Sequence, residues 1–135
     1  GVTLAEFPTT VDAAAASRDA GMRILMGGPN LVRGGSHSGN VSVSELADAD
    51  ALDILSSDYV PFSMLQAAFV LGERDGWSLP KAISTVTAGP AAAVNLSDRG
   101  RLSEGLRADL VRVRRTGRGE VPLVLGVWRE GRRVA

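Results

Sequence analysis

Over its first hundred residues the chain repeats one rhythm, in which a short apolar run breaks off at small or polar residues and a segment of helical spacing follows. That alternation marks successive βα units. "VTLAEF" (2–7) predicts a strand, after which Thr9 or Thr10 stands ready to cap a helix through "VDAAAASRDA", with Asp12 in the first turn and Gly21 as its C-cap. "MRILMG" (22–27) predicts a second strand, Gly28 to about Ser42 a long loop, and "SVSELADA" a short helix capped by Ser42 or Ser44. "LDILSS" (52–57) predicts a third strand. Beyond the turn at "DYVP", the stretch "FSMLQAAFVLGERDG" predicts a helix with Phe62, Leu65 and Phe69 on the face that packs on the strands. "SLPKAISTVTAGPAAAVNL" reads as two short helices, the first capped by Ser78 with Pro80 in its opening turn, the two separated by Gly89-Pro90.

Then the period changes. "ADLVRVRR" (108–115) and "VPLVLGVWREGRRVA" (121–135) alternate as strands, joined by the turn "TGRGE" and broken again at Glu130-Gly131. The expectation is an α/β fold: three βα units of a parallel architecture carrying a small antiparallel appendage. Three units cannot close an eight-stranded barrel, and a three-stranded parallel sheet leaves apolar edges open, so the chain is expected to be incomplete and its exposed apolar edges to favour self-association into a homo-oligomer. Trp77, Met22, Met26 and Met64 are expected in the core and Trp128 in the appendage.

Composition narrows the picture further. The chain has 135 residues, 44% of them apolar, which is enough for a core and argues against disorder. No apolar run reaches the ~18–20 residues that span a bilayer, and "GVTLAEFPTT" lacks the basic flank and long apolar core of a signal peptide. With no cysteine, thiol redox chemistry and thiolate metal sites are excluded; a cytoplasmic location and no membrane partner are expected. A net charge of zero hides an asymmetry, since residues 1–100 carry 6 basic and 11 acidic side chains whereas residues 101–135 carry 9 and 4. The basic run "RVRRTGRG" alternates with valines as on the wet face of a strand and has no aromatic residue interleaved, so no nucleic-acid partner is expected.

In parallel α/β folds, sites gather where strands run out into βα loops. There stand Glu6, Thr9 and Thr10 after the first strand, Asn30, Arg33, Ser36, His37, Ser38 and Asn40 after the second, and Asp58 and Tyr59 after the third. Asp58 leaves an apolar strand just before a turn, where a carboxylate can ligate a metal or take a proton from water; the same pattern also suits an ordinary turn or capping aspartate. In "GGPNLVRGGSHSGN" the glycines allow close backbone approach, Arg33 offers a planar fork to phosphate oxygens, and His37, Ser36, Ser38 and Asn40 add neutral donors. An anionic ligand suits this set, and so does a plain connector, because Gly/Ser-rich loops are common as such. It is no Walker loop, since the required lysine is missing. Glu6 can hydrogen-bond a ligand hydroxyl or another residue of a site, though a glutamate at a strand terminus is more often merely solvated. One His and no Cys cannot make a catalytic zinc site alone, because such a site takes three protein ligands. Any metal at Asp58 therefore needs partners from outside these residues.

"EFPTT", "LMGGPNLVRGGSHSGN", "LDILSSDYVP", "SLPKAISTVTAGPA" and "RGRLSEGLRADLVRV", in this order, resemble the C-terminal part of the metal-dependent diphosphatases of the carbon–phosphorus lyase pathway, a branch of the amidohydrolase superfamily. The resemblance covers residues from about 5 to 115; "GxPNxxRGGSHSGN" with "SSDY" is specific to the branch, and "G...G..ADLV" is shared widely by amidohydrolases. It implies a distorted (β/α)₈ TIM-like barrel with a small β-sandwich, residues 1–96 giving the last βα units with the helices after them and 97–135 the sandwich strands. It also implies hydrolysis of the triphosphate of α-D-ribose 1-methylphosphonate 5-triphosphate, to the 5-phosphate and pyrophosphate, with a divalent metal (zinc or manganese) liganded mostly by residues absent from this chain. Asp58 matches the aspartate after barrel strand eight that binds or adjoins metal and accepts the proton of the attacking water. Asn30, Arg33, His37, Ser38 and Asn40 match the loop after strand seven and are implied to contact triphosphate or ribose. The superfamily's HxH pair, bridging ligand and later histidines are missing, so an incomplete chain, inactive by itself, is expected. The alternatives are another amidohydrolase, such as a dihydroorotase-like cyclic amidase, or a non-catalytic phosphate-binding fragment.

Overall fold

A computed structural model describes residues 1–35, 39–115 and 117–135. Three short strands, β1 (Leu4–Glu6), β2 (Arg23–Gly27) and β3 (Ile54–Ser56), form a parallel sheet in chain order. In register, Leu4, Ala5 and Glu6 lie beside Arg23, Ile24 and Leu25, and Leu25, Met26 and Gly27 beside Ile54, Leu55 and Ser56. Parallel strands need crossovers, and helices α1 (Val11–Asp19) and α3 (Val43–Asp48) provide them. The helix α1 is alanine-rich; the Thr10 hydroxyl accepts from the Ala13 N–H, with Asp12 in the first turn and Arg18 in the last. For α3 the cap is reciprocal, since Ser42 accepts from the Glu45 N–H while the Glu45 carboxylate accepts from the Ser42 N–H.

The long loop expected after β2 is a correction, because its first part is the helix α2 (Gly28–Arg33). Pro29 sits in the opening turn, where no N–H is needed, and Gly34 ends the helix at φ +88°. Gly28 lets α2 lie close on α4 (Ser63–Leu71): a Cβ there would stand 3.1 Å from the Ser63 hydroxyl and 3.3 Å from Ala67 Cβ. The face of α4 differs from expectation too. Ala67, Ala68, Phe69 and Leu71 are buried, while Phe62 precedes the helix and is 79% exposed. Helices α5 (Leu79–Ser84) and α6 (Ala88–Ala93) follow, Ser78 capping the first. Gly89-Pro90 does not separate them but lies in the first turn of α6, where a missing N–H costs nothing; the break falls at Thr85–Thr87.

The core gathers between sheet and helices: Ile24, Leu46, Leu55, Leu71 and Val43 are its largest fully buried apolar side chains. Trp77 packs against it partly buried, its indole N–H donating to the Ala47 carbonyl at 3.3 Å. Met26 is buried as expected, whereas Met22 and Met64 are half-buried. The appendage is an antiparallel sheet of β4 (Leu110–Arg114), β5 (Leu123–Arg129) and β6 (Arg132–Arg133), with a register shift between Arg112 and Val113. Glu130 and Gly131 form the two-residue turn between β5 and β6 at φ +52° and +78°, a right-twisting hairpin turn. Glu73, just beyond α4, ties the end of that helix to the connection between β4 and β5. Its carboxylate accepts from Arg115 and from the Gly119 N–H (2.8 Å), and its carbonyl from Arg118 (2.7 Å).

Candidate functional site

The C-terminal ends of the three parallel strands converge on one spot. At the end of β2, Gly27 has an ordinary extended backbone (φ −81°, ψ 130°), so glycine is required there for space rather than for conformation. A Cβ at this position would lie 2.9 Å from Asp58 Oδ2, 3.2 Å from Asp58 Cβ and 3.3 Å from the Phe7 ring. Phe7 follows β1 and Asp58 follows β3, both at positive φ (+53° and +49°). That left-handed backbone is uncommon for residues with a Cβ, though Asp tolerates it better than most. Two turns thus bring an aromatic ring and an exposed carboxylate over the bare Cα between them. The sequence reading placed Asp58 at this mouth; it did not foresee the role of Gly27, whose signal was a glycine pair directly after an apolar strand.

Of the loop residues, Asn30 and Arg33 ride on α2. The Asn30 side-chain oxygen accepts from the Val43 N–H at 2.8 Å and so fixes the start of α3. Arg33, exposed in the last turn, donates from Nη2 to the Tyr59 hydroxyl at 2.8 Å, its guanidinium carbon 6.0 Å from the ring centroid. Sequence reasoning noted Tyr59 but not this pairing. Asn40 is exposed, next to Val41, whose N–H donates to the Thr9 carbonyl (2.9 Å). Ser36, His37 and Ser38 lie outside the described residues. Thr10 is used as the α1 cap and Glu6 is exposed at the end of β1. A depression of about 290 Å³ opens beside Arg33, lined by Pro29, Val32, Val60, Phe62 and Ser63. The mouth therefore presents a carboxylate, a cation held by a neutral phenol, and an apolar shelf.

A second depression of about 270 Å³ lies at the opposite ends of the strands, among Arg18, Arg23, Asp50, Asp53 and Lys81. Four of these charges pair with one another, and Arg23 donates to the Gly89 carbonyl (3.3 Å). Lys81 bonds Asp50 at 2.8 Å and by that bond and its charge holds the Asp50 carboxyl below its ordinary value, while Asp53 accepts from the Ile24 N–H (2.8 Å) and pairs with Arg18 (3.7 Å). Among the described residues no group of three or more His, Cys, Asp or Glu could hold a metal ion, so they do not by themselves make a metal centre. Nor is any helix among them long and apolar enough to cross a membrane.

The sequence profile of the amidohydrolase family matches residues 4–135. The chain is 54% identical to the α-D-ribose 1-methylphosphonate 5-triphosphate diphosphatase of Escherichia coli (strain K12) over 136 aligned positions, which cover 99% of this chain and 35% of that protein. It is 42% identical over 100 residues to an imidazolonepropionase of Streptomyces griseus subsp. griseus and 40% over 97 residues to one of Streptomyces coelicolor, covering 66% and 64% of this chain and 26% and 25% of those proteins. The chain thus spans about a third or less of the length of these relatives. No solved structure matches it.

Proposed function

This chain belongs to the amidohydrolase family, and from that premise we propose that it forms part of a hydrolase cleaving the triphosphate of α-D-ribose 1-methylphosphonate 5-triphosphate to the 5-phosphate and pyrophosphate. The observation that carries the reading is the Asp58 carboxylate lying across Gly27 at the strand mouth. An exposed carboxylate there can take the proton of a water that attacks phosphorus as the anhydride bond between the first and second phosphates breaks. Arg33, and by resemblance Asn30, His37, Ser38 and Asn40, contact the triphosphate or ribose; an arginine fork suits phosphate oxygens because it donates two parallel bonds. Asn30 has a structural duty beside that one, since its side-chain oxygen already accepts from the Val43 N–H.

Asp58 is the one residue here proposed as a ligand for the divalent ion, zinc or manganese, that the family resemblance implies. The remaining ligands belong to other parts of a (β/α)₈ barrel, to which residues 1–96 contribute the last βα units and 97–135 the strands of a β-sandwich. The similarity to the E. coli diphosphatase across 99% of this chain supports the substrate. The deciding assay is pyrophosphate release from a ribose 5-triphosphate, with metal added, by the active protein that contains this sequence, be it this chain or a longer product. Release is expected, and its absence with every divalent ion tried would refute the reading. A second reading, hydrolysis of an imidazolone or another cyclic amide, is favoured by the likeness to the Streptomyces imidazolonepropionases; ring opening without pyrophosphate release would select it.

A further inference from the structure

We propose that Tyr59 is a positioning residue that holds the Arg33 guanidinium at the strand mouth as an uncancelled cation for a phosphate group. The inference deepens the phosphohydrolase reading and rests on it for the choice of ligand. Its basis is the 2.8 Å bond from Arg33 Nη2 to the Tyr59 hydroxyl, with the guanidinium carbon 6.0 Å from the ring centroid. An exposed arginine samples many rotamers, and one bond to the phenol of Tyr59, which is 61% exposed but turns about only two side-chain torsions, together with the ring face removes part of that freedom before a ligand arrives.

The chemistry of the anchor is the telling point. Arg18, Arg74, Arg99, Arg107 and Arg115 each meet a carboxylate. Among the described residues Arg33 shows no ion pair, and whereas Arg23 and Arg133 bond backbone carbonyls, its anchor is a neutral side-chain hydroxyl. A phenol takes one of the five guanidinium N–H groups and leaves the charge and the other donors to an incoming anion. Consecutive residues then divide the work: Asp58 lies over Gly27 at the end of β2, and Tyr59 reaches Arg33 at the end of α2. The ligand class this fits is a phosphate oxygen of a polyphosphate ester, bound beside the depression that Arg33 lines.

Tyr59 is the sole tyrosine, so 3-fluorotyrosine labelling of the whole chain gives a single ¹⁹F resonance. Titration with inorganic tripolyphosphate is expected to shift it saturably, and Arg33→Lys to abolish most of the shift. By calorimetry, Tyr59→Phe and Arg33→Lys should each weaken tripolyphosphate binding about 5- to 10-fold, the loss of one oriented hydrogen bond. The double variant should fall within about twofold of either single one, because both remove the same contact. Failure of the chain to bind tripolyphosphate would overturn the proposal, as would an unchanged affinity in Tyr59→Phe or fully multiplicative losses in the double variant. Binding that follows this pattern, with no pyrophosphate release from a 5-triphosphate by the protein that contains this sequence whatever divalent ion is added, would refute the hydrolytic function instead and leave the positioning role intact.

Discussion

The carboxylate of Asp58 rests on the bare Cα of Gly27: the residue that ends β2 yields its side-chain volume to the residue that follows β3. Since Gly27 has an extended backbone that any residue adopts, replacing it tests space alone. Gly27→Ala should drive Asp58 and Phe7 off the strand end and cost about 1–3 kcal/mol by overpacking. Urea unfolding followed by circular dichroism measures this; a midpoint equal to wild type would mean that the mouth is not packed as described.

Asp58→Asn separates charge from conformation. Asp58 sits at φ +49°, and Asn is one of the few residues that enters that region readily, so the turn should survive. Under the proposed function, pyrophosphate release by the full-length protein that contains this sequence is then expected to fall by about 10²–10⁴-fold, the usual contribution of a general base, with the thermal midpoint nearly unchanged. Turnover close to wild type would exclude Asp58 as proton acceptor.

For Asn30 the bond to the Val43 N–H predicts a stability effect that a ligand contact would not produce. Val43 is fully buried, and Asn30→Ala would leave its N–H unpaired at a cost of about 1–3 kcal/mol. Asn30→Asp keeps the acceptor and should retain most of the stability. Chemical denaturation of the two variants decides it, with equal midpoints counting against the structural role.

The cap of α3 gives a pH dependence with a definite sign. Hydrogen bonds from the Ser42 backbone and hydroxyl hold the Glu45 carboxyl below its ordinary value. A carboxyl whose folded value is depressed adds stability that is fully present above the unfolded value and is lost as pH falls through the folded one. Glu45→Gln keeps an acceptor but cannot titrate. The wild-type advantage over this variant should therefore shrink as pH is lowered through the acidic range, read from unfolding midpoints at stepped pH. A constant difference would show that the charge of Glu45 takes no part in the cap.

Much of this protein is local and so was open to a reader of the chain. Strands and helices follow from apolar spacing, and the caps at Thr10, Ser42 and Ser78 from hydroxyls placed just before helical runs. The turn at Glu130-Gly131 followed from a glycine between two alternating segments. Two of the errors share a cause. Gly28 to Arg33 reads as loop because Gly and Pro disfavour helix interiors, yet both are harmless in a first turn, and the close seat on α4 rewards the helical form. Gly89-Pro90 misleads for the same reason, and Phe62 because periodicity does not show where α4 begins.

For the site, strand direction and the βα rhythm were enough to put Asp58, Arg33, Asn30 and Tyr59 in the segments that follow the strands, on one side of the sheet. Only the tertiary structure decided which of them touch. Asp58 and Gly27 are 31 positions apart and Arg33 and Tyr59 are 26 apart, and no local propensity encodes a contact at that separation. It depends on the register of β2 against β3 and on the close seating of α2 on α4, which arise only when the apolar faces of all these elements are buried together.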